Sequence, residues 1–524
     1  MNVSGVRSGM KEVPELREPV INQVQQYIKE TWDKLVCSWT DAADPKMEGT
    51  SIVYYPKGDP KVFDIVSQSL AVEARPLPEK VQEHGLLYLP EPFVVPGGRF
   101  QEMYGWDSYF QTLGLLQDGK WELAMNTVEN YSYQIEHYGK ILNANRTYYL
   151  DRSQPPFYSR TVMEVFEYAQ KHKWLGKGEA FWTKWLEPKL PLIEKYYQYW
   201  MQEPQKVPET GLSRYYDTGK GPAPESLTSE LVDGKSHYDR LKERLNSGAA
   251  HDLSHPLSTY FDGESLTDEA YTRDRSMRAS GLDPSLRWGL GNLDVIDYNT
   301  VDLNCLLYQM EKDGADVANI LGEVDQAIAW DERSQQRKEK INKLLWDEEA
   351  GLFKDYNTHT KSKLDYPFAT MFWPLWCELA TRDQADRIRE HLKELEGEGG
   401  LMSSNKKVDG HWTGCQWDAP WGWAPMQMMA VKGLQRYGFV DDAERIALKF
   451  CKAIVAKFVE KQAIFEKYDV VNSFKADEDK RRKPVLGYDD NVIGFGWTNA
   501  AFEVFYNGLP QDKREELEAF AEGL

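Results

Sequence analysis

One unit recurs along the chain: an apolar run with helical period, a short Asp or Gly turn, and a second helix that opens on a small residue. It is legible in LLQDGKWELAM from Leu115, QMEKDGADVANI from Gln309, ELATRDQADRI from Glu378 and LQRYGFVDDAERIAL from Leu434. A single helical hairpin cannot bury its apolar stripe alone, so hairpins repeated at intervals of tens of residues must stack on one another. From Tyr109 onward, apolar residues at i, i+3 and i+4 dominate. If the helices alternate inward and outward, the stack closes into a double ring, and every hairpin can present a loop on one face.

Segments that break this rhythm are read separately. Residues 1 to 60 mix a helix-like stretch, Val20 to Leu35, with strand-like SIVYYPKG, and read as an extension wrapped on a main body of residues 61 to 510; residues 511 to 524 read as a C-terminal helix. WDEEAGLFKDYN, from Trp346 to Asn357, has Gly351 between an acidic turn and alternating aromatics, which predicts a small β-hairpin on the rim. Two long loop excursions are expected at 205 to 295 and 400 to 425, with a third irregular stretch at 468 to 497. Long irregular segments inside a compact body tend to be lids or binding loops.

Charge narrows the function. A formal net charge of −20 argues against nucleic acid, whose phosphates need clustered Lys and Arg. The dense basic run Lys480 to Lys483 follows Glu478 and Asp479 and reads as a solvated loop. No apolar stretch approaches the ~18 residues that span a bilayer, and the first residues lack the apolar core of a signal peptide, so a cytoplasmic protein without a membrane partner is expected. The 5 cysteines are widely spaced and form no CxxC, so neither a disulfide framework nor a zinc site is indicated. His251 and His255 have the spacing of a metal pair but lack the HExxH glutamate and a third ligand. No GxSxG, P-loop, strand-linked GxGxxG or EF-hand pattern occurs. No cofactor and no metal are expected, and nothing in the sequence sets an oligomeric state.

Two aromatic-rich strings point to the ligand. PGGRFQEMYGWDSYF (Pro96 to Phe110) and QWDAPWGWAP (Gln416 to Pro425) set Trp and Phe rings beside Asp, Glu, Arg and Gln. A sugar has an apolar C–H face on which rings stack and an edge of hydroxyls that polar groups read. A lone Trp such as Trp106 or Trp417 usually packs in a core. Two such strings in one chain point instead to a small carbohydrate.

Glycosidic bonds are usually cut by two carboxyl groups, one protonated and one ionised. With 83 Asp and Glu residues, context must choose. Asp283, in RASGLDPSLRWG, follows Gly281, whose missing side chain lets backbone approach a ligand, and Leu282 with Trp288 offers an apolar wall that would raise a carboxyl pKa. Glu466, in AIFEKYDV, stands between Phe465 and Tyr468 where a long amphipathic helix gives out.

Both aromatic strings closely resemble the two signatures of the trehalase family, glycoside hydrolase family 37. NANRTYYLDRSQPP (Asn143 to Pro156), VDLN (Val301 to Asn304), EKYDV (Glu466 to Val470) and GFGWTN (Gly494 to Asn499) agree with the family in order. The resemblance spans about residue 85 to 505. It implies an all-α (α/α)6 toroid and hydrolysis with inversion at the anomeric carbon. It also implies Asp283 as general acid and Glu466 as general base, about 6.5 to 9.5 Å apart to admit a water. The glucose subsite it implies comprises Arg99, Phe100, Trp106, Asp107, Asn143, Arg152, Gln154, Glu225, Gly281, Trp417 and Asp418.

Three departures bear on the leaving group. Where the family carries Arg-Pro-Glu, this chain has Ala223-Pro224-Glu225. The family's glycine-rich run with its glutamate is replaced by RRKPVLGYDDNVI ahead of GFGWTN. The acid loop reads Ser280-Gly281-Leu282-Asp283, similar to glycoside hydrolase family 63. An α,α-trehalase is the leading expectation. A hydrolase of another α-glycoside with a small or acidic aglycone, such as glucosylglycerate or mannosylglycerate, is the alternative, with Arg481 and Arg482 as anion partners. A non-catalytic sugar-binding protein is a third reading, opposed by the intact carboxylate pair.

Overall fold

The computed structural model describes residues 18–41, 52–57, 62, 73–228, 231–247, 252–408, 410–475, 486–488 and 491–524. Six helices form an inner ring: Asp107–Gln117, Tyr158–Lys171, Val301–Leu321, Trp373–Trp376, Ala424–Arg436 and Gly496–Gly508. Each contacts the next, and the last closes on the first. Their sequences are apolar on most sides because neighbours surround them, and Ala424–Arg436 buries its residues almost continuously from Ala424 to Val431. Outside them run Trp121–Tyr138, Lys189–Trp200, Val324–Leu344, Arg382–Glu390 and Val440–Lys461. Val20–Leu35 and Gln511–Glu522 complete the outer layer against Val440–Lys461. The architecture is the (α/α)6 toroid. No helix among the described residues is long and apolar enough to cross a membrane.

Three of the four hairpin units form as read. The Leu115 unit joins Asp107–Gln117 to Trp121–Tyr138, and the Leu434 unit joins Ala424–Arg436 to Val440–Lys461. In the Glu378 unit, Thr381 caps Arg382–Glu390 in a capping box with Gln384, satisfying two helix-end donors. The Gln309 unit differs, because Val301–Leu321 runs unbroken through Asp313 and Gly314. Two contacts override the turn signal. Asp313 is buried and accepts from Arg160 Nη1 at 3.0 Å and Ser159 Oγ at 2.9 Å. A side chain at Gly314 would stand 2.6 Å from the Trp330 ring of the outer helix, so the glycine serves close packing.

The hairpin at 346 to 357 is present as the antiparallel pair Trp346–Asp347 and Leu352–Phe353. The stretch from 205 to 295 is more ordered than its composition suggests, containing His237–Asn246 and Asp268–Arg278. Ser236 and Asp239 form a capping box, and Tyr238, Leu241, Leu245, Tyr260 and Phe261 build a second small core. Near the N-terminus, Ile52–Tyr55 pairs in parallel with Glu73–Pro76 and Leu86–Leu87, so one small sheet joins chain on both sides of residue 60.

The inner helices share a direction that matters for function. The starts of Asp107–Gln117, Ala424–Arg436 and Gly496–Gly508 meet at a cavity of about 720 Å3, and the chain leading into Tyr158–Lys171 contributes Gln154.

Candidate active site

The first aromatic string enters this cavity as a turn followed by the inner helix that Asp107 begins. Trp106 precedes the helix and its ring meets Trp417, from the second string, at 5.7 Å and 42°. Trp417 is in turn stacked on Trp423 at 4.0 Å and 8°, and Trp497 packs edge-on against all three. The result is a rigid aromatic wall drawn from three parts of the chain.

Of the residues singled out by sequence, Arg99, Phe100, Trp106, Asp107, Asn143, Arg152, Gln154, Glu225, Gly281, Asp283 and Trp417 line this one cavity. Glu466 lies one side chain behind its surface and Asp418 lies outside it.

Asp283 reaches the cavity from the loop after Asp268–Arg278, with its side chain one-third exposed. The apolar wall expected from Leu282 and Trp288 is not what faces its carboxylate. Trp288 is buried and donates to Asp355 at 2.7 Å, pinning the loop from beneath, and neither residue lines the cavity. Arg278 brings a positive charge near Asp283, its Nη1 3.7 Å away while its Nε holds Asp274 at 3.1 Å. Gly281 also serves packing. With φ of 71° and the Trp106 ring 2.8 Å from where a Cβ would stand, it admits the indole as well as bordering the cavity.

Glu466 is buried, and its Oε1 accepts from the Tyr488 hydroxyl, which lines the cavity. Lys467 Nζ is 3.4 Å from Oε2, and its ammonium lies over the rings of Tyr488 and Trp423 at 4.6 and 5.1 Å. A carboxylate with four lone-pair directions keeps capacity for a water after accepting from Tyr488. Asp107 lies within electrostatic reach of both carboxylates: burial raises its pKa well above the ordinary range, and the charges of Glu466 and Asp283 push the same way. Burial also drives the Tyr488 phenol up, with Glu466 adding to it, so it stays a donor.

A second network fixes Arg152. It donates through Nε to Asn143 Oδ1 at 2.8 Å, pairs with Glu225, and has Asp217 Oδ2 3.4 Å from Nη1. Its guanidinium lies over the Tyr149 ring at 4.7 Å. A buried fork held this way has little freedom to lose when it receives a ligand. Gln154 accepts from the Trp106 backbone at 3.0 Å, tying this side of the cavity to the aromatic wall.

Asp418 corrects the sequence reading. It is fully buried and accepts from Thr413 and Ser404 hydroxyls at 2.7 Å, from Tyr366 at 2.7 Å and from the Leu286 N–H at 3.1 Å. Its neighbours act on the same loop: the Trp417 N–H donates to Pro284 O at 3.2 Å, and Gln416 Nε2 to Asp283 O at 2.5 Å. The consecutive residues Gln416, Trp417 and Asp418 therefore clasp the loop that carries Asp283.

Sequence reasoning passed over Arg278, Tyr488, Gln416, Trp423 and Trp497, all of which line the cavity. Gln416 and Trp423 lay within a recognised string, and Arg278 sits five positions before Asp283. Tyr488 offered no local pattern. At the altered Ala223-Pro224-Glu225, Ala223 is buried and its N–H donates to Tyr238, while Glu225 keeps its place on the cavity. Arg481 and Arg482 lie outside the described residues, as does His251. His255 is paired with Asp297 at 2.9 Å and stacked on His359, and it does not line the cavity.

The comparisons with known proteins fit this geometry. The cytosolic neutral trehalase of Neurospora crassa is 34% identical over 88% of this chain and 68% of its own length. The probable trehalase of Eremothecium gossypii is 35% identical over 93% and 73%, and the cytosolic neutral trehalase of Saccharomyces cerevisiae 38% identical over 78% and 56%. The chain thus spans between 56% and 73% of the length of these three relatives. Among solved structures, a neutral trehalase from Saccharomyces cerevisiae superposes with a TM-score of 0.78 at 32% identity, over 96% of each chain. A family 63 mannosylglycerate hydrolase from Thermus thermophilus gives 0.51 at 17% identity over 79% of this chain and 95% of its own, a likeness of fold. The sequence model of the trehalase family matches residues 7–509, so the likeness first read in two short strings runs through the whole ring, and the chain belongs to the trehalase family.

Proposed function

We propose that this chain is an inverting α,α-trehalase, with Asp283 as general acid and Glu466 as general base. The observation that carries the reading is that Asp283, on the wall of one aromatic-lined cavity of about 720 Å3, and Glu466, one side chain behind the same wall at Tyr488, come together from loops far apart in sequence. One glucose ring is gripped between Trp106, Trp417 and Phe100, its hydroxyls read by the Arg152 and Asn143 network and by Arg99. Asp283 gives its proton to the glycosidic oxygen as the C–O bond breaks. Glu466 takes a proton from a water that attacks the anomeric carbon from the opposite face. The attacked glucose leaves as the β-anomer and the other keeps its α-configuration. The Neurospora crassa and Saccharomyces cerevisiae relatives are named as cytosolic, in line with a cytosolic setting for this one.

Proton NMR of fresh digests tests the stereochemistry: equal amounts of α- and β-glucose are expected at early times, and α-glucose alone would overturn inversion. Asp283→Asn and Glu466→Gln should each lower kcat by more than about 1,000-fold with unfolding unchanged. A panel of trehalose, glucosylglycerate and mannosylglycerate settles the aglycone, since turnover of a glycerate far above trehalose would replace the trehalase reading.

A further inference from the structure

A second cavity, of about 500 Å3, opens at the opposite end of the ring. Gln117, Lys171, Gln435 and Gly508 on its walls belong to the last turns of the same inner helices whose leading ends carry the active site. Its floor is apolar, made by Phe110, Trp376, Met428 and Met429. Its rim carries both signs of charge. Glu164 and Glu167 share the buried Arg160, while Lys171, Lys432 and Glu444 have no ion-pair partner among the described residues.

Tyr109 is the telling residue. Only 1% exposed, with its ring stacked on Phe157 at 4.3 Å and 12°, it lines this cavity. Its hydroxyl has no hydrogen-bond partner among the described residues. On a ring otherwise buried, a hydroxyl that opens on the cavity can donate to or accept from a ligand atom there.

We propose that this far cavity is a second binding site, for a neutral polyhydroxylated ligand the size of a mono- or disaccharide. The floor of rings and thioethers suits the C–H face of such a molecule. Rim groups of both signs can bond hydroxyls, which donate and accept, whereas an ion of either sign meets like charge on the same rim. Anions are further disfavoured by the partial negative charge at the helix ends. Phe110 links the two cavities: it lines the far one and packs edge-on against Trp106 at 5.8 Å and 82°, and Trp106 lines the active site.

The test is methyl NMR of the full chain with 13C-labelled methionines, the Met428 and Met429 signals being assigned by single Met→Leu substitutions. Glucose and maltose are the probes, glucose 6-phosphate and choline their charged counterparts, and the Trp417 indole N–H signal, assigned by Trp417→Phe, reports the active site. Both methyl signals should shift saturably with the neutral sugars. Tyr109→Phe should weaken that titration about three- to tenfold while the Trp417 indole titration holds within about twofold. Leu113→Trp, which fills the cavity, should abolish the methyl shifts. Methyl signals unmoved at about 0.5 M sugar, signals that move only with the charged probes, or a Tyr109→Phe titration identical to the parent would overturn the proposal.

Discussion

Replacing Gln416 by alanine should disable catalysis while leaving substrate capture largely intact. The Gln416 amide bridges the two halves of the machinery: Nε2 donates to the Asp283 carbonyl at 2.5 Å, and Oε1 accepts from the Tyr488 N–H at 3.2 Å. A backbone carbonyl only accepts and a backbone N–H only donates, so the orientation of the amide is fixed. Through Tyr488, whose hydroxyl holds Glu466, the link runs from the acid loop to the base. Loss of two hydrogen bonds at about 1 kcal/mol each, with both backbone partners stranded in a buried setting, amounts to roughly 2 to 4 kcal/mol of local stability. In a chain of 524 residues this moves Tm by only a few degrees. Its effect on chemistry is larger, because a shift of ~1 Å in a reacting group can lower the rate ~100-fold. We expect kcat for trehalose to fall about 10- to 100-fold with KM changed less than about threefold. Gln416→Glu keeps an acceptor for Tyr488 but sets a carboxylate against the Asp283 carbonyl, and should lose at least as much. Steady-state kinetics on both variants decide the matter; kcat within about twofold of the parent in both would refute the bridge.

Other perturbations follow from the same structure. Glu503 is buried on Gly496–Gly508, and burial pushes its carboxyl up from 4.5 to about 7, the charge of Asp118 adding to it. The unfolded chain therefore ionises first as pH rises, so stability falls between these two values, by about 3 kcal/mol in full, and stays reduced above them. Glu503→Gln should be more stable than the parent to urea at about pH 8 and equal to it near pH 4.5; equal stability at both would remove the explanation. Gly281→Ala places a methyl 2.8 Å from Trp106 at a φ of 71°, and should lower kcat/KM more than about tenfold with a shift in tryptophan emission. Normal kinetics would show that the loop yields freely. Glu225→Gln weakens the hold on the buried Arg152, and a rise in KM of about tenfold is expected, detectable as weaker glucose inhibition as well. An unchanged KM would mean that Asp217 and Asn143 suffice.

The sequence by itself determined the stacked helical hairpins and the aromatic strings that wall the cavity, and it singled out the two carboxylates proposed for catalysis, because these rest on local periodicity and on short runs whose chemistry is carried by neighbours in the chain. Val20–Leu35 and the Trp346 hairpin were legible for the same reason: each is set by a pattern a few residues long. What it misjudged depended on partners distant in sequence. KDG at 312 to 314 reads as a turn until Arg160 and Trp330 arrive to satisfy Asp313 and pack on Gly314. Asp418 reads as a sugar ligand beside Trp417, yet Gln416 and Trp417 line the cavity while its own carboxylate is consumed by four donors, among them the Leu286 N–H of the Asp283 loop. Tyr488 has no motif of its own, and only the folded ring brings its hydroxyl to Glu466. Local residue order chose the elements and supplied the carboxylates proposed to react. The tertiary structure alone decided which groups face the cavity, which stand behind it as clasps, and that the same helices end in a second cavity. Burial, ion pairing and hydrogen-bond satisfaction are properties of surroundings assembled from the whole chain.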